Sequence, residues 1–124
     1  MKIQESAEDY LETILKLSLR QPTVRSIDIV NEMNFSKPSV SVAMKHLREQ
    51  GKVRMDENGF ITLTDIGREI AERIYERHLL LTKLLMQLGV EEAEAAEEAC
   101  RIEHDISQDT FEKLKVWAKE KGVE

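Results

Sequence analysis

Apolar residues recur at intervals of three and four along most of the chain, and this spacing predicts six amphipathic helices. A serine or threonine precedes the third, fourth and sixth helices as a predicted N-cap, and a glycine closes each of the three. The predicted helices cover approximately residues 5–19, 27–33, 37–50, 65–88, 91–105 and 108–121. The chain is therefore predicted to be mainly helical.

Between the third and fourth helices the apolar spacing changes to two, which predicts two short strands, at residues 52–55 and 60–64. Gly59 lies in the loop between them, at the position that needs a left-handed backbone. One register gives a single apolar face, and its pairs are Val53 with Leu63 and Met55 with Ile61. The two strands are predicted to form a β-wing.

The second and third helices are short and joined by a tight turn, which is typical of a helix-turn-helix. An ordinary surface helix is the alternative, but the wing that follows favours a winged helix. The outer face of the third helix carries small hydroxyls, one lysine and one valine, which suit a major groove. Residues predicted to contact DNA there and on the wing are Ser36, Lys37, Pro38, Ser39, Ser41, Val42, Lys45, Lys52 and Arg54.

Charge separates the chain into two predicted domains. Residues 1–64 hold nine basic and nine acidic side chains, whereas residues 65–124 hold nine and fifteen, which accounts for the net charge of −6. We predict a winged helix DNA-binding domain over residues 1–64, joined by the long fourth helix to an α-helical metal-binding and dimerisation domain over residues 65–124. A basic patch on a neutral domain is compatible with phosphate contacts.

Cys100, Glu103 and His104 occupy positions i, i+3 and i+4 of the fifth predicted helix, which sets a thiol, a carboxylate and an imidazole on one face. This donor set suits a first-row divalent transition metal. Carboxylates on the first helix are often solvated surface charge, and a lone histidine on the apolar stripe of the fourth helix is often a core residue. The full set of candidate metal ligands is Asp9, Glu12, His78, Cys100, Glu103 and His104.

The apolar stripe of the last helix includes Phe111, Leu114 and Trp117, which we predict to form a homodimer interface. No apolar run is long enough to span a bilayer, and the N-terminus lacks the apolar core of a signal peptide. A single cysteine agrees with a reducing compartment. We therefore expect a cytoplasmic protein without a membrane partner.

Four short motifs, in this order, resemble the diphtheria toxin repressor family of iron- and manganese-dependent regulators: EDYLE at 8–12, SKPSVS at 36–41, RH at 77–78 and EACRIEH at 98–104. The resemblance covers nearly the whole chain and is closest to the short, two-domain class. It implies a dimeric repressor that binds a palindromic double-stranded operator when Mn²⁺ or Fe²⁺ is present. It also implies no small organic substrate.

The metal ligands combine two patterns of that family. Manganese-type members have aspartate at the position of Asp9 and glutamate at that of Cys100, whereas iron-type members have methionine and cysteine. This chain is manganese-like on the first helix and iron-like on the fifth. Because the thiolate favours softer ions and the carboxylate harder ones, both Mn²⁺ and Fe²⁺ remain candidate ions for the site.

The resemblance also bears on the number of metal ions. His78 is kept from the second site of the iron-type members, but Thr82 and Ala96 stand at its other positions. A binuclear cluster of the manganese type is therefore the better expectation. Its shared ligands would be Glu12, Cys100 and Glu103.

We expect the metal to fix the dimer in the geometry that binds the operator, and so to control genes of metal uptake. A metal-independent winged-helix regulator is the main alternative, because it needs the wing and the recognition helix but no ligands. A small metalloenzyme could use the same donors, but the chain has no nucleophile motif and no second general base. The sequence therefore favours a regulator over an enzyme.

Overall fold

The computed structural model describes the backbone of residues 3–123 and the side chains of residues 6–123. Over this range the chain is mainly helical, with one two-stranded antiparallel sheet. No helix in the described range is both long and apolar enough to cross a membrane. The elements are α1 Ile3–Arg20, α2 Ser26–Met33, α3 Lys37–Glu49, β1 Val53–Met55, β2 Ile61–Leu63, α4 Asp65–Gln87, α5 Glu92–Ile102 and α6 Gln108–Glu120.

The chain divides into two compact units inside α4, with Glu72 ending the first and Arg73 beginning the second. The predicted boundary lay at the start of this helix. The first turns of α4 pack against the base of the wing, where the backbone N–H of Thr64 donates to the Lys52 carbonyl at 3.1 Å. A Cβ on Gly67 would lie only 1.9 Å from the same carbonyl oxygen. This close approach requires glycine and joins the start of α4 to the first unit.

In the first unit, α2 and α3 form the predicted helix-turn-helix. Asn34 ends α2 in the left-handed conformation (φ 57°, ψ 39°) and reverses the chain. The Ser36 hydroxyl then caps α3 by accepting the Ser39 N–H at 3.2 Å, and Pro38 lies in the first turn. The predicted cap is confirmed. The core of this unit is aliphatic and includes Leu11, Ile14, Leu17, Ile29, Val40, Met44 and Leu47.

The wing has the predicted register, with Val53 opposite Leu63 and Met55 opposite Ile61. The Asp56 carboxylate closes the loop by accepting the N–H groups of Asn58 and Phe60, each at 2.9 Å. Gly59 adopts φ 80°, as the loop type requires. The Phe60 ring, in turn, lies under the Arg25 guanidinium, 4.6 Å from its central carbon.

The second unit consists of the rest of α4 together with α5 and α6. Its buried apolar residues are Ile74, Leu81, Ala95, Ala99, Phe111 and Ala118. The two alanines let the backbone of α5 lie close to its neighbours, since they leave little side-chain volume between the helices. Phe111 was predicted at the dimer interface, but its side chain is fully buried within its own unit. Trp117 is 50% exposed. Of these two side chains, only Trp117 leaves a large surface exposed that a partner subunit could cover.

Candidate metal centre

The candidate ligands of the second unit lie where α5 ends. The sequence predicted helix to residue 105, but α5 stops at Ile102. Cys100 lies in its last turn, Glu103 is the C-cap, and His104 follows in the next turn. Glu103 keeps helical dihedrals (φ −59°, ψ −22°) and donates its N–H to the Ala99 carbonyl at 3.0 Å. The shared face predicted from helical spacing therefore survives past the end of the helix.

These side chains converge with His78 of α4. The Glu103 carboxylate has Oε2 3.4 Å from His78 Nδ1 and Oε1 3.7 Å from His104 Nε2. Cys100 Sγ lies 3.7 Å from His78 Nδ1. Ligand atoms of His78, Cys100 and Glu103 all lie within 4.8 Å of one another, which is close enough for one cation. The structure thus brings together the four candidate ligands of this unit.

The burial of the cluster agrees with a cation site. The Glu103 side chain is 0% exposed, that of His104 2% and that of His78 13%. Burying a carboxylate costs several kcal/mol unless positive charge and hydrogen bonds offset it. A thiol, two imidazoles and a carboxylate are the donor types that first-row divalent metals prefer. The residues present therefore fit a metal ion.

Arg77 contacts the backbone of the cluster at Glu103, and the sequence indicated it only as part of the RH motif at 77–78. It is 6% exposed and donates to backbone carbonyls of the segment that joins α5 to α6. The available signal was an arginine next to His78, on a helix whose neighbouring turns are apolar. A buried arginine at such a place indicates a fixed set of acceptors.

Asp9 and Glu12 belong to the first unit, on α1. Glu12 is 2% exposed, and its Oε2 lies 3.9 Å from Lys16 Nζ. Asp9 is half-buried. A buried carboxylate is unlike the solvated surface charge that was the alternative for this pair. Both stay predicted ligands.

The predicted DNA face lies on the outside of α3. Val42 is 55% exposed, whereas Val40 and Met44 on the opposite face are buried. The Ser36 hydroxyl donates to the Ser39 hydroxyl at 2.8 Å. Lys52 alone among the predicted DNA contacts is half-buried. The exposed members are Ser36, Lys37, Pro38, Ser39, Ser41, Val42, Lys45 and Arg54.

Two family models together span almost the whole chain. Residues 2–63 match the model described as iron dependent repressor, N-terminal DNA binding domain, and residues 64–119 match iron dependent repressor, metal binding and dimerisation domain. The chain belongs to the iron-dependent repressor family. Within this family the chain is a metal-dependent, DNA-binding transcriptional repressor and not an enzyme. The winged helix and the family resemblance predicted from the sequence are confirmed.

Individual relatives agree with the family. An uncharacterized HTH-type transcriptional regulator of Methanocaldococcus jannaschii is 32% identical, over 93% of this chain and 94% of its own. The transcriptional regulator MntR of Salmonella typhimurium is 29% identical, over 97% and 76%. The iron-dependent repressor IdeR of Mycobacterium bovis is 30% identical, over 91% of this chain but 50% of its own.

A solved manganese-dependent transcriptional repressor in complex with manganese superimposes with a TM-score of 0.81 and 31% identity. The match covers 89% of this chain and 51% of that one. The chain therefore spans about half the length of this neighbour. Relatives named for manganese and for iron both occur, so the comparisons support a divalent metal without choosing between the two.

Proposed function

We propose that the protein is a homodimeric repressor that binds operator DNA when Mn²⁺ or Fe²⁺ occupies the cluster at the end of α5. The observation that carries the proposal is the fully buried Glu103 carboxylate, which faces two imidazoles beside a thiol. This cluster lies in the segment that matches the metal-binding domain of the family. The genes under control would be those of metal uptake.

We further propose that Asp9 and Glu12 of the first unit complete the ligand set, in a site that can hold two ions. When bound, a divalent ion supplies the positive charge that these carboxylates and the Cys100 thiolate need. Without that charge, the carboxylates of such a site would repel one another and the ligand set would not be held together. Asp9 and Glu12 are thus the residues that make DNA binding depend on metal.

Cys100 is the residue on which the choice of metal depends. Its thiolate favours softer, later ions, whereas an aspartate on α1 favours harder ones. Co²⁺ absorption spectra of the wild type and of Cys100→Ser test the assignment directly. A thiolate-to-metal band that is present only in the wild type identifies Cys100 as a ligand, and competition with Mn²⁺ and Fe²⁺ then ranks these ions.

On the DNA side, α3 is the proposed recognition helix. We propose that Val42 contacts a thymine methyl group and that Lys45 and the serine hydroxyls hydrogen-bond to base edges. Lys52 and Arg54 of the wing would contact phosphates. A two-fold dimer would match palindromic half-sites about one helical turn, ~34 Å, apart.

The proposed dimer surface uses the exposed side of α6. Trp117 and Val116 are 50% and 60% exposed, and Leu114 beside them is half-buried. Phe111 does not contribute, because the core of its own unit already covers it. Sedimentation of the wild type and of Trp117→Ala tests this surface, since loss of the dimer is expected only in the variant.

A DNA-binding titration tests the function itself. Duplexes are first selected from a random library with the Mn²⁺-loaded protein, and their affinity is then measured by fluorescence anisotropy with and without Mn²⁺. We expect metal to tighten binding by the wild type but not by the double variant Cys100→Ala, His104→Ala. Glu97→Gln, which alters an exposed carboxylate on the same helix, is the matched control.

The opposing result separates the alternatives. If the double variant keeps its metal-dependent DNA binding, the cluster is not the regulatory site. If Mn²⁺, Fe²⁺ and Co²⁺ all leave the wild-type melting temperature and DNA affinity unchanged, the protein is a metal-independent winged-helix regulator.

A further inference from the structure

We propose that Arg77 is a positioning residue for the metal centre: it fixes the segment between α5 and α6 so that Glu103 faces His78 and Cys100 before any ion binds. This inference rests on the proposed metal-dependent function and extends it to a residue with no ligand role. Arg77 carries no donor that a cation could use, since a guanidinium has only N–H groups. Its effect on metal binding would be entirely indirect.

The first observation is that Arg77 is buried in the second unit. It is 6% exposed, and its guanidinium carbon lies 5.5 Å from the centre of the Phe111 ring. A buried guanidinium is costly unless its N–H groups find acceptors with good geometry. The acceptors it uses therefore indicate which part of the chain it holds.

Three of its acceptors lie between the end of α5 and the start of α6. Nη1 donates to the Glu103 carbonyl at 3.0 Å and to the Ile106 carbonyl at 2.8 Å, and Nη2 donates to the Gln108 side-chain oxygen at 2.8 Å. Carbonyls beyond a helix end have no N–H four residues ahead to bind. One side chain thus supplies donors along a segment that the helices leave without regular pairing.

The consequence for Glu103 follows from its backbone. Its N–H is held by the Ala99 carbonyl at 3.0 Å and its carbonyl by Arg77 at 3.0 Å, so both sides of the residue are fixed. Only the side-chain torsions remain, and the carboxylate lies 3.4 Å from His78. Residues that orient metal ligands in this way typically change metal affinity 10- to 100-fold when they are removed.

The position of Arg77 next to His78 strengthens the inference. Consecutive residues of a helix point about 100° apart, so α4 presents an imidazole to the cluster and a guanidinium to the segment behind it. The same turn of α4 therefore positions both partners of the Glu103–His78 contact: it carries His78 itself, and it holds the Glu103 backbone through Arg77. A shift of the α5–α6 segment relative to α4 would have to break the three bonds of Arg77 first.

The test compares the wild type with four variants by Co²⁺ titration, followed through the visible absorption bands. Arg77→Met keeps an unbranched side chain but removes every donor, and Arg77→Lys keeps the charge but not the planar fork. Arg101→Met removes a positive charge from the exposed side of α5 and is the matched control. Gln108→Leu removes a single acceptor and serves if Arg77→Met does not fold.

We expect Arg77→Met to bind Co²⁺ about 10- to 100-fold more weakly, with altered bands at saturation. Arg77→Lys should recover part of the affinity, Gln108→Leu should lose less than Arg77→Met, and Arg101→Met should match the wild type. Altered bands are the essential signature, because a purely structural role lowers the folded fraction without changing the coordination of the protein that remains folded.

Two results overturn the inference and leave the proposed function intact. One is an Arg77→Met protein with wild-type affinity and spectrum. The other is a loss of affinity that only follows the unfolded fraction, with unchanged bands. If Arg77→Met does not fold, a Gln108→Leu protein with wild-type affinity and spectrum has the same meaning. A wild type that gives no Co²⁺ bands at all contradicts the proposed function instead.

Discussion

Replacing Glu103 by glutamine separates the cost of the buried carboxylate from its benefit. The substitution keeps the size and shape of a side chain that is 0% exposed but removes its charge. In the metal-free protein the charge is buried at the expense of several kcal/mol, and contacts to His78 and His104 offset part of this. Once a metal is bound, the same charge becomes favourable. The substitution should therefore change the stability of the metal-free protein little and remove the stabilisation that metal gives.

The magnitudes follow from the contacts. The carboxylate lies at ion-pair rather than hydrogen-bond distance from two imidazole nitrogens, at 3.4 and 3.7 Å, and these contacts offset part of its desolvation cost of several kcal/mol. Because this gain and the desolvation cost nearly cancel, Glu103→Gln should change the metal-free free energy of unfolding by no more than about 2 kcal/mol in either direction. Metal at 100 times its Kd stabilises the wild type by about 2.7 kcal/mol.

Thermal unfolding with and without Mn²⁺ measures both effects. For a chain of 124 residues this stabilisation by metal corresponds to a rise in Tm of roughly 10 °C. The wild type should show this rise, and Glu103→Gln should show none while unfolding near the temperature of the metal-free wild type. A variant with the full rise refutes the ligand assignment. A Glu103→Gln protein that is destabilised by more than about 4 kcal/mol in the absence of metal refutes the view that the buried charge serves only metal binding.

Three further predictions concern the first unit. Gly67→Ala forces a Cβ to within 1.9 Å of the Lys52 carbonyl oxygen, so urea unfolding should show a loss of about 3 kcal/mol; an unchanged midpoint would contradict this close approach. Arg54→Gln should lower the slope of log affinity against log salt by about one per subunit, because Arg54 is a proposed phosphate contact, whereas a change in sequence preference alone would indicate base contacts only. Burial raises the pKa of the Tyr10 phenol. Its ultraviolet titration should therefore give a pKa above the usual value of about 10. The free energy of unfolding should fall as pH rises from that usual value through the raised pKa. Tyr10→Phe should abolish both the raised titration and this fall in stability.

The parts of the fold that depend on local rules could be predicted from the sequence. The Ser36 cap follows from the preference for hydroxyl side chains at helix starts, and the wing register follows from strict alternation of apolar residues around Gly59. Each depends on neighbours within a few residues. All the residues that determine these two features lie close together in the sequence, and the structure has both the cap and the register that were predicted.

The end of α5 depends on a distant residue and could not be predicted. No glycine or proline occurs between Ile102 and the predicted start of the last helix at residue 108, so the sequence predicted helix to residue 105. The helix ends where the side chain of Arg77, 26 positions earlier in the chain, donates a hydrogen bond to the Glu103 carbonyl. Helical spacing still placed Cys100 and Glu103 on one face, because the C-cap keeps helical dihedrals.

The side chains of α6 show a second limit. An apolar stripe predicts which residues avoid water but does not say whether the cover comes from the same chain or from a partner. Phe111 and Trp117 were therefore both predicted at the interface. The structure separates them, with Phe111 in the core and Trp117 half exposed.

The most direct test of the account is the reciprocity between metal and DNA. If Mn²⁺ tightens operator binding by a factor of about 5 to 150, then saturating operator must tighten Mn²⁺ binding by the same factor. Mn²⁺ affinity measured by calorimetry with and without the selected duplex gives the second number independently of the first. We predict that the two factors agree in the wild type and are both one in Cys100→Ala, His104→Ala. A Mn²⁺ affinity that the operator leaves unchanged in the wild type would contradict the regulatory site.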